Sequence, residues 1–180
     1  MNAASAAKGT AKRPSGRHRS AARLTAVQAL YEMDMAGAAA DPVLREFLFS
    51  RWTNTENGGD DIGSLETDGL GEPDSELLFA LVHGVGERTQ ELDLLIAPAL
   101  SAEWTLERLE TILRAVLRAG AFELLALPNV PPRVVISEYV DVAHAFFSRG
   151  QPGLVNSVLD NLAHKLRTRE MAIKQDANGK

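Results

Sequence analysis

The sequence predicts an all-α fold, and three observations carry that reading. Apolar residues recur every three or four positions in six separate stretches, as one face of a helix requires. No stretch alternates with period two for long enough to make a sheet strand. The apolar fraction of 45% is enough to bury a core without disulfides, since the chain has no cysteine.

The elements follow in order. Residues 1–16, rich in Ala, Gly, Ser and Lys, have no apolar period and read as a flexible, disordered basic leader. From Arg17 the spacing of Leu24, Val27, Leu30, Tyr31 and Met35 marks a first amphipathic helix. Ser20 is its candidate cap, with a start one turn earlier as the alternative, and Gly37 is placed to end it. Asp41-Pro42 reads as the cap and first residue of a short second helix through Trp52, with Val43, Leu44, Phe47, Leu48 and Trp52 on its apolar side. Residues 53–76 then carry five glycines, eight acids and no Lys or Arg. An acidic, glycine-rich linker is therefore expected over 53–72, between a helical subdomain at 17–52 and a bundle at 73–168. The spacing of Asp60, Asp61 and Asp68 does not fit a calcium loop with its final bidentate Glu.

Pro73-Asp74-Ser75-Glu76 opens a long third helix with Leu78, Leu81, Val82, Val85, Leu92, Leu95 and Ile96 on one stripe, ended by Pro98. Gly84 and Gly86 in its middle each lower helix propensity by about 1 kcal/mol, which suggests close approach of another backbone, with ordinary packing between helices as the alternative. After a capping segment at Ser101, Glu103 and Trp104, residues 106–127 form the most apolar stretch and the expected central helix. Pro128 and Pro131-Pro132 precede a fifth helix carrying Val135, Ile136, Tyr139, Val140, Ala143, Phe146 and Phe147. Gly150-Gln151-Pro152 precede a sixth, with Val155, Val158, Leu159, Leu162 and Leu166, and residues 169–180 read as a tail.

Charge is divided unevenly along this framework. Lys8, Lys12, Arg13, Arg17, Arg19 and Arg23 give the first 23 residues a formal +6 with no acid, while the rest holds all 24 acids and 13 cations, a formal −11. Such an arm suits a polyanion, because cations that meet phosphates release condensed counterions; the alternative is a solvated tail that binds nothing.

Catalytic signatures are missing. His18, His83, His144 and His164 stand on separate elements without metal-ligand spacing, and His83 and His144 read as packed or boundary histidines with satisfied hydrogen bonds. No nucleophile elbow, P-loop or dinucleotide fingerprint occurs, so no catalytic set, metal or cofactor is expected. Glu110, Arg114 and Arg118, at four-residue steps, read as a charged helix face. No run approaches the ~20 apolar residues of a membrane span, and the head lacks the apolar region of a secretory signal. It also lacks the apolar face of a transit peptide, so a cytoplasmic location without membrane attachment is expected.

Several strings then add a family. Arg17-His18-Arg19-Ser20-Ala21-Ala22-Arg23, running into Ala26-Val27-Gln28-Ala29-Leu30-Tyr31, resembles the opening of the NusB transcription antitermination family. Val116-Leu117-Arg118 with Phe122-Glu123-Leu124, the stretch from Val130 to Glu138, and Val155-Asn156-Ser157-Val158-Leu159-Asp160 resemble its later motifs in the same order. The resemblance, from about 17 to 167, implies two small helical bundles packed together. It also implies binding to single-stranded boxA-like RNA of ribosomal RNA leader transcripts, with a small-subunit ribosomal protein that doubles as NusE. That assembly joins a transcribing RNA polymerase complex and suppresses termination.

On this reading Arg17, Arg19 and Arg23 are the expected RNA contacts, since guanidinium offers forked donors to phosphate and can stack on a base. Arg118 matches a family position near the RNA face, with an ion pair to Glu123 or another acid as its alternative role. His18 is either an assisting contact or a neutral exposed neighbour, and Tyr31 either packs in the core or stacks on a base. Lys12 and Arg13, with Lys8, would add salt-sensitive attraction. Glu87, Glu91 and Asp141 are candidate contacts for the basic ribosomal partner. The turn Phe147-Ser148-Arg149-Gly150-Gln151 departs from the acidic turn of relatives, and a monomer and a homodimer both remain open. Two other readings stand beside this one. The first is a protein-binding helical adaptor. The second is an accessory module of an RNA-modifying assembly, like the NusB-like domain that precedes an RNA cytosine methyltransferase.

Overall fold

The computed structural model describes residues 16–57, with side chains through 48, and residues 71–101 and 103–172. These residues form seven α-helices and no strand: α1 Gly16–Ala36, α2 Ala40–Asn57, α3 Ser75–Ile96, α4 Thr111–Ala126, α5 Pro132–Phe146, α6 Gln151–Leu166 and α7 Thr168–Ala172. Short 3-10 turns at Ala97–Ala99 and Leu106–Arg108 lie between α3 and α4.

Helix α4 is the centre, as its sequence predicts. Leu113, Val116, Leu117, Ala119, Ala121, Phe122 and Leu124 are buried, too wide a set for a single contact face. Helices α1 and α3 pack on it and on each other, as do α5 and α6. Helix α2 lies on α1, and one continuous apolar cluster takes residues from all seven helices.

Local chemistry sets the ends. Gly37 adopts φ 62°, and the Ala38 amide donates to Met33 O at 3.2 Å, so α1 closes in a Schellman turn that needs glycine. Asp74 caps α3 by accepting from the Leu77 amide at 3.2 Å. Close approach at Gly84 is by a ring: a Cβ built there would lie 2.0 Å from Phe122 Cζ.

Several boundaries differ from expectation. Helix α1 starts at Gly16, so the alternative start one turn earlier holds and Ser20 is an interior residue and not a cap. Helix α2 runs to Asn57 and takes in the first residues of the expected linker, while 58–70, including Asp60, Asp61 and Asp68, lie outside the described residues. Helix α3 departs from helical geometry at Arg88 (φ −117°, ψ 19°), next to Thr89, whose hydroxyl donates to Val85 O at 2.8 Å. Helix α4 begins at Thr111, because Leu109 is extended at φ −73° and ψ 143°. Leu109 is still buried, so the apolar spacing runs through a break in the helix. The expected tail contains α7, whose Met171 is buried. His144 is exposed, whereas His83 is half-buried, stacks on Phe79 and lies 3.3 Å from Asp41.

Candidate nucleic-acid interface

The first two turns of α1 hold Arg17, His18, Arg19 and Arg23, and helical geometry separates their fates. Arg17 is exposed and Arg19 half-buried, at a helix start whose amides and dipole favour an anion. Arg23, four residues beyond Arg19, is only 2% exposed. Its Nε donates to Glu123 Oε2 at 3.0 Å, Nη2 donates to Glu123 Oε1, and Nη1 donates to Glu138 Oε2 at 3.0 Å. The Tyr139 hydroxyl donates to the same Glu123 Oε2 at 3.0 Å. Burial works against the Arg23 charge, but the hydrogen bond and Coulomb attraction of Glu123 outweigh it and hold the guanidinium protonated. Each of its three nitrogens donates to a carboxylate and the side chain is buried, so the expectation that Arg23 grips phosphate is corrected: it is a buried strut beneath the basic turn.

That turn is tied down at two further points. The Ser20 hydroxyl donates to Glu138 Oε2 at 2.7 Å. His18 donates from Nδ1 to the Glu72 carbonyl, and the Asp74 amide donates back to His18 O at 2.9 Å. His18 thus joins the start of α1 to the segment leading into α3. Lys12 and Arg13 lie outside the described residues.

Arg118 stands apart from this turn. Its Nε and Nη2 donate to the two oxygens of Asp93 at 2.8 and 2.9 Å, and Nη1 lies 3.7 Å from Asp34. The pair partner is Asp93 rather than Glu123, which is taken by Arg23. The Asp93 hydrogen bond raises the Arg118 pKa further. Arg114 also reaches Asp34, at 3.3 Å, so these arginines belong to an inter-helix network instead of a simple exposed face. Tyr31 is 37% exposed, which corrects its place in the core. Glu87 and Glu91 are exposed on α3, with Glu91 held by Arg88, and Asp141 is exposed on α5, a separate helix. Among the described residues no group of three or more His, Asp or Glu could hold a metal ion, and no helix is long and apolar enough to cross a membrane.

Sequence reasoning missed Ser20, Glu123 and Glu138 as the partners that set this geometry. The signal was present: Glu123 is a carboxylate inside the most apolar helix, and such a group needs a charged partner.

Residues 20–164 match the model described as the NusB family. The chain belongs to the NusB family. A NusB transcription antitermination protein from Bradyrhizobium sp. strain BTAi1 is 46% identical over 156 residues, covering 87% of each chain. One from Nitrobacter hamburgensis is 47% identical over 154 residues, covering 86% of this chain and 91% of the relative. Among solved structures, T. maritima NusB shares the fold with TM-score 0.65 at 22% identity, covering 87% and 97% of the two chains. The solution structure of Aquifex aeolicus NusB matches with TM-score 0.61 at 26% identity, covering 85% and 92%. A crystal structure of the antitermination factors NusB and NusE with double-stranded RNA matches with TM-score 0.62 at 24% identity, covering 84% and 99%.

Proposed function

We propose that this NusB chain is a transcription antitermination factor that binds single-stranded, boxA-like RNA of ribosomal RNA leader transcripts. It acts beside a small-subunit ribosomal protein, NusE, on a transcribing RNA polymerase complex in the cytoplasm. It works by binding and carries out no chemical step. The observation that carries this reading is the basic Arg17–Arg19 turn, with Arg17 exposed and Arg19 half-buried, fixed to the helical body through Ser20 and His18, in a chain whose curated relatives are named transcription antitermination proteins. NusE is the protein beside NusB in the solved RNA complex of this fold.

Arg17 and Arg19 supply forked donors to phosphate edges or a flat surface for a base. Arg118 is a secondary contact whose guanidinium is shared with Asp93. Lys12 and Arg13 add nonspecific attraction. Glu87, Glu91 and Asp141 are the acids offered to the basic partner.

Fluorescence anisotropy with boxA-type RNA and a scrambled strand tests this reading. Arg17→Ala with Arg19→Ala should weaken boxA binding and flatten the salt dependence by about 0.7 for each phosphate no longer neutralised. Equal affinity for both strands would remove the sequence-specific part of the reading.

A further inference from the structure

We infer that Glu138 is a positioning residue for RNA recognition: acting through Ser20, it holds the Arg17–Arg19 turn of α1 against α5. This rests on the RNA-binding reading of that turn. One oxygen of Glu138, Oε2, receives two donors from α1, Ser20 Oγ at 2.7 Å and Arg23 Nη1 at 3.0 Å. Ser20 and Arg23 are three residues apart and therefore share a helix face. The two contacts do different work. Arg23 is already fixed by both oxygens of buried Glu123, so α1 stays docked at that level without Glu138. Glu138 adds a grip at the residue adjoining Arg19, close to the helix start, where helices fray.

The Ser20 hydroxyl has one proton and two acceptors within reach, Glu138 Oε2 at 2.7 Å and Gly16 O at 3.2 Å. The charged and shorter contact takes it. Without Glu138 the proton turns to Gly16 O, a bond within α1 that leaves the turn unattached to α5. A turn held only through His18 keeps more freedom, which RNA binding must remove, and that ordering lowers affinity.

Simple electrostatics predicts the opposite sign. Glu138 is a partly exposed carboxylate near a surface meant for phosphate, so deleting its charge should strengthen RNA binding. Positioning requires that deleting the whole side chain weaken it. Glutamine separates the two, because its carbonyl still accepts from Ser20 while the charge is gone.

The test measures boxA-type RNA affinity by anisotropy, and amide exchange without RNA, for the full chain, four single variants and the Arg17→Ala, Arg19→Ala protein. Ser20→Ala and Glu138→Ala should each weaken binding by about five-fold and speed exchange at residues 17–20, while exchange in α4 and α6 stays unchanged. Ser20→Thr and Glu138→Gln should restore affinity to the wild-type level or above. Wild-type or tighter binding by Glu138→Ala, alongside weak binding by the Arg17→Ala, Arg19→Ala protein, would overturn the positioning role alone. Wild-type binding by the double-arginine variant would overturn the RNA reading and this inference together. Faster exchange throughout the bundle in Glu138→Ala, unrelieved by glutamine, would make Glu138 a general stability residue and also sink the inference.

Discussion

Arg23 of α1 and Glu123 of α4 form a forked ion pair across the centre of the bundle, with neither side chain more than 2% exposed. A buried pair of this kind recovers its desolvation cost only when nearly every donor and acceptor is met. Here Tyr139 and Glu138 complete the set. Removing one partner is therefore far worse than removing both. Arg23→Met should destabilise the fold by about 3–5 kcal/mol in urea melts, because Glu123 is left charged and buried. The double change Arg23→Met, Glu123→Leu should recover much of that loss; if it does not, the pair contributes more than mutual neutralisation.

The same site sets an alkaline limit. Burial, reinforced by the Glu123 charge, pushes the Tyr139 hydroxyl well above its ordinary value of 10.0. The unfolded chain releases this proton at about pH 10, whereas the folded chain keeps it. The stability that rests on neutral Tyr139 is thus intact below pH 10 and lost as pH rises through the folded value. Absorbance at 295 nm should show Tyr139 ionising only together with loss of helical circular dichroism. Tyr139→Phe should remove this tyrosine's share of the alkaline decline.

Which parts were legible from sequence follows from the range of the forces involved. Helix existence, the central place of α4 and the opening of α3 at Pro73–Glu76 rest on local spacing and were readable. The break at Leu109 was not, since a buried leucine in an extended link keeps the apolar period while leaving the helix. The basic character of the first turns of α1 was legible, but the burial of Arg23 was not. Arg19 and Arg23 look equivalent along the chain; only the arrival of Glu123 from 100 residues away separates a surface cation from a core strut.

Gly84 offers a test of packing against propensity. Alanine would improve helix propensity by about 1 kcal/mol, yet its Cβ overlaps the tip of the Phe122 ring, 2.0 Å from Cζ. Steric overlap should win, giving a net loss of about 1–3 kcal/mol in thermal or urea melts. Adding Phe122→Leu to Gly84→Ala should relieve part of it. An unchanged melting temperature for Gly84→Ala would mean that the ring moves without cost.

Asp93 restrains Arg118 with two hydrogen bonds, so loosening it tests whether this arginine also meets RNA. Asp93→Asn should lower stability by about 1 kcal/mol, a modest loss for a partly exposed pair. It should tighten RNA binding a few-fold by freeing guanidinium donors, while Arg118→Ala weakens it. The reverse pattern would mark Arg118 as a strut between α3 and α4.

Arg167 carries the last prediction. It is 9% exposed, and Nη2 donates to Pro128 O at 2.8 Å and Val130 O at 3.2 Å, while its guanidinium also grips Glu170 of α7. One side chain thus ties the α4–α5 link to the C-terminal helix. Arg167→Ala should cost about 1–3 kcal/mol in urea melts, because it leaves the buried Val130 carbonyl unpaired. Lysine should not rescue it, since a point charge cannot span two carbonyls and a carboxylate at once. The hydrogen bond from Arg167 holds the Glu170 pKa below the ordinary 4.5. This anchorage of α7 is complete above that ordinary value and fades as pH falls through the lowered folded one. Acid should therefore release α7 protection early in wild type, and Glu170→Gln should remove that pH dependence while leaving the carbonyl contacts and most of the stability in place.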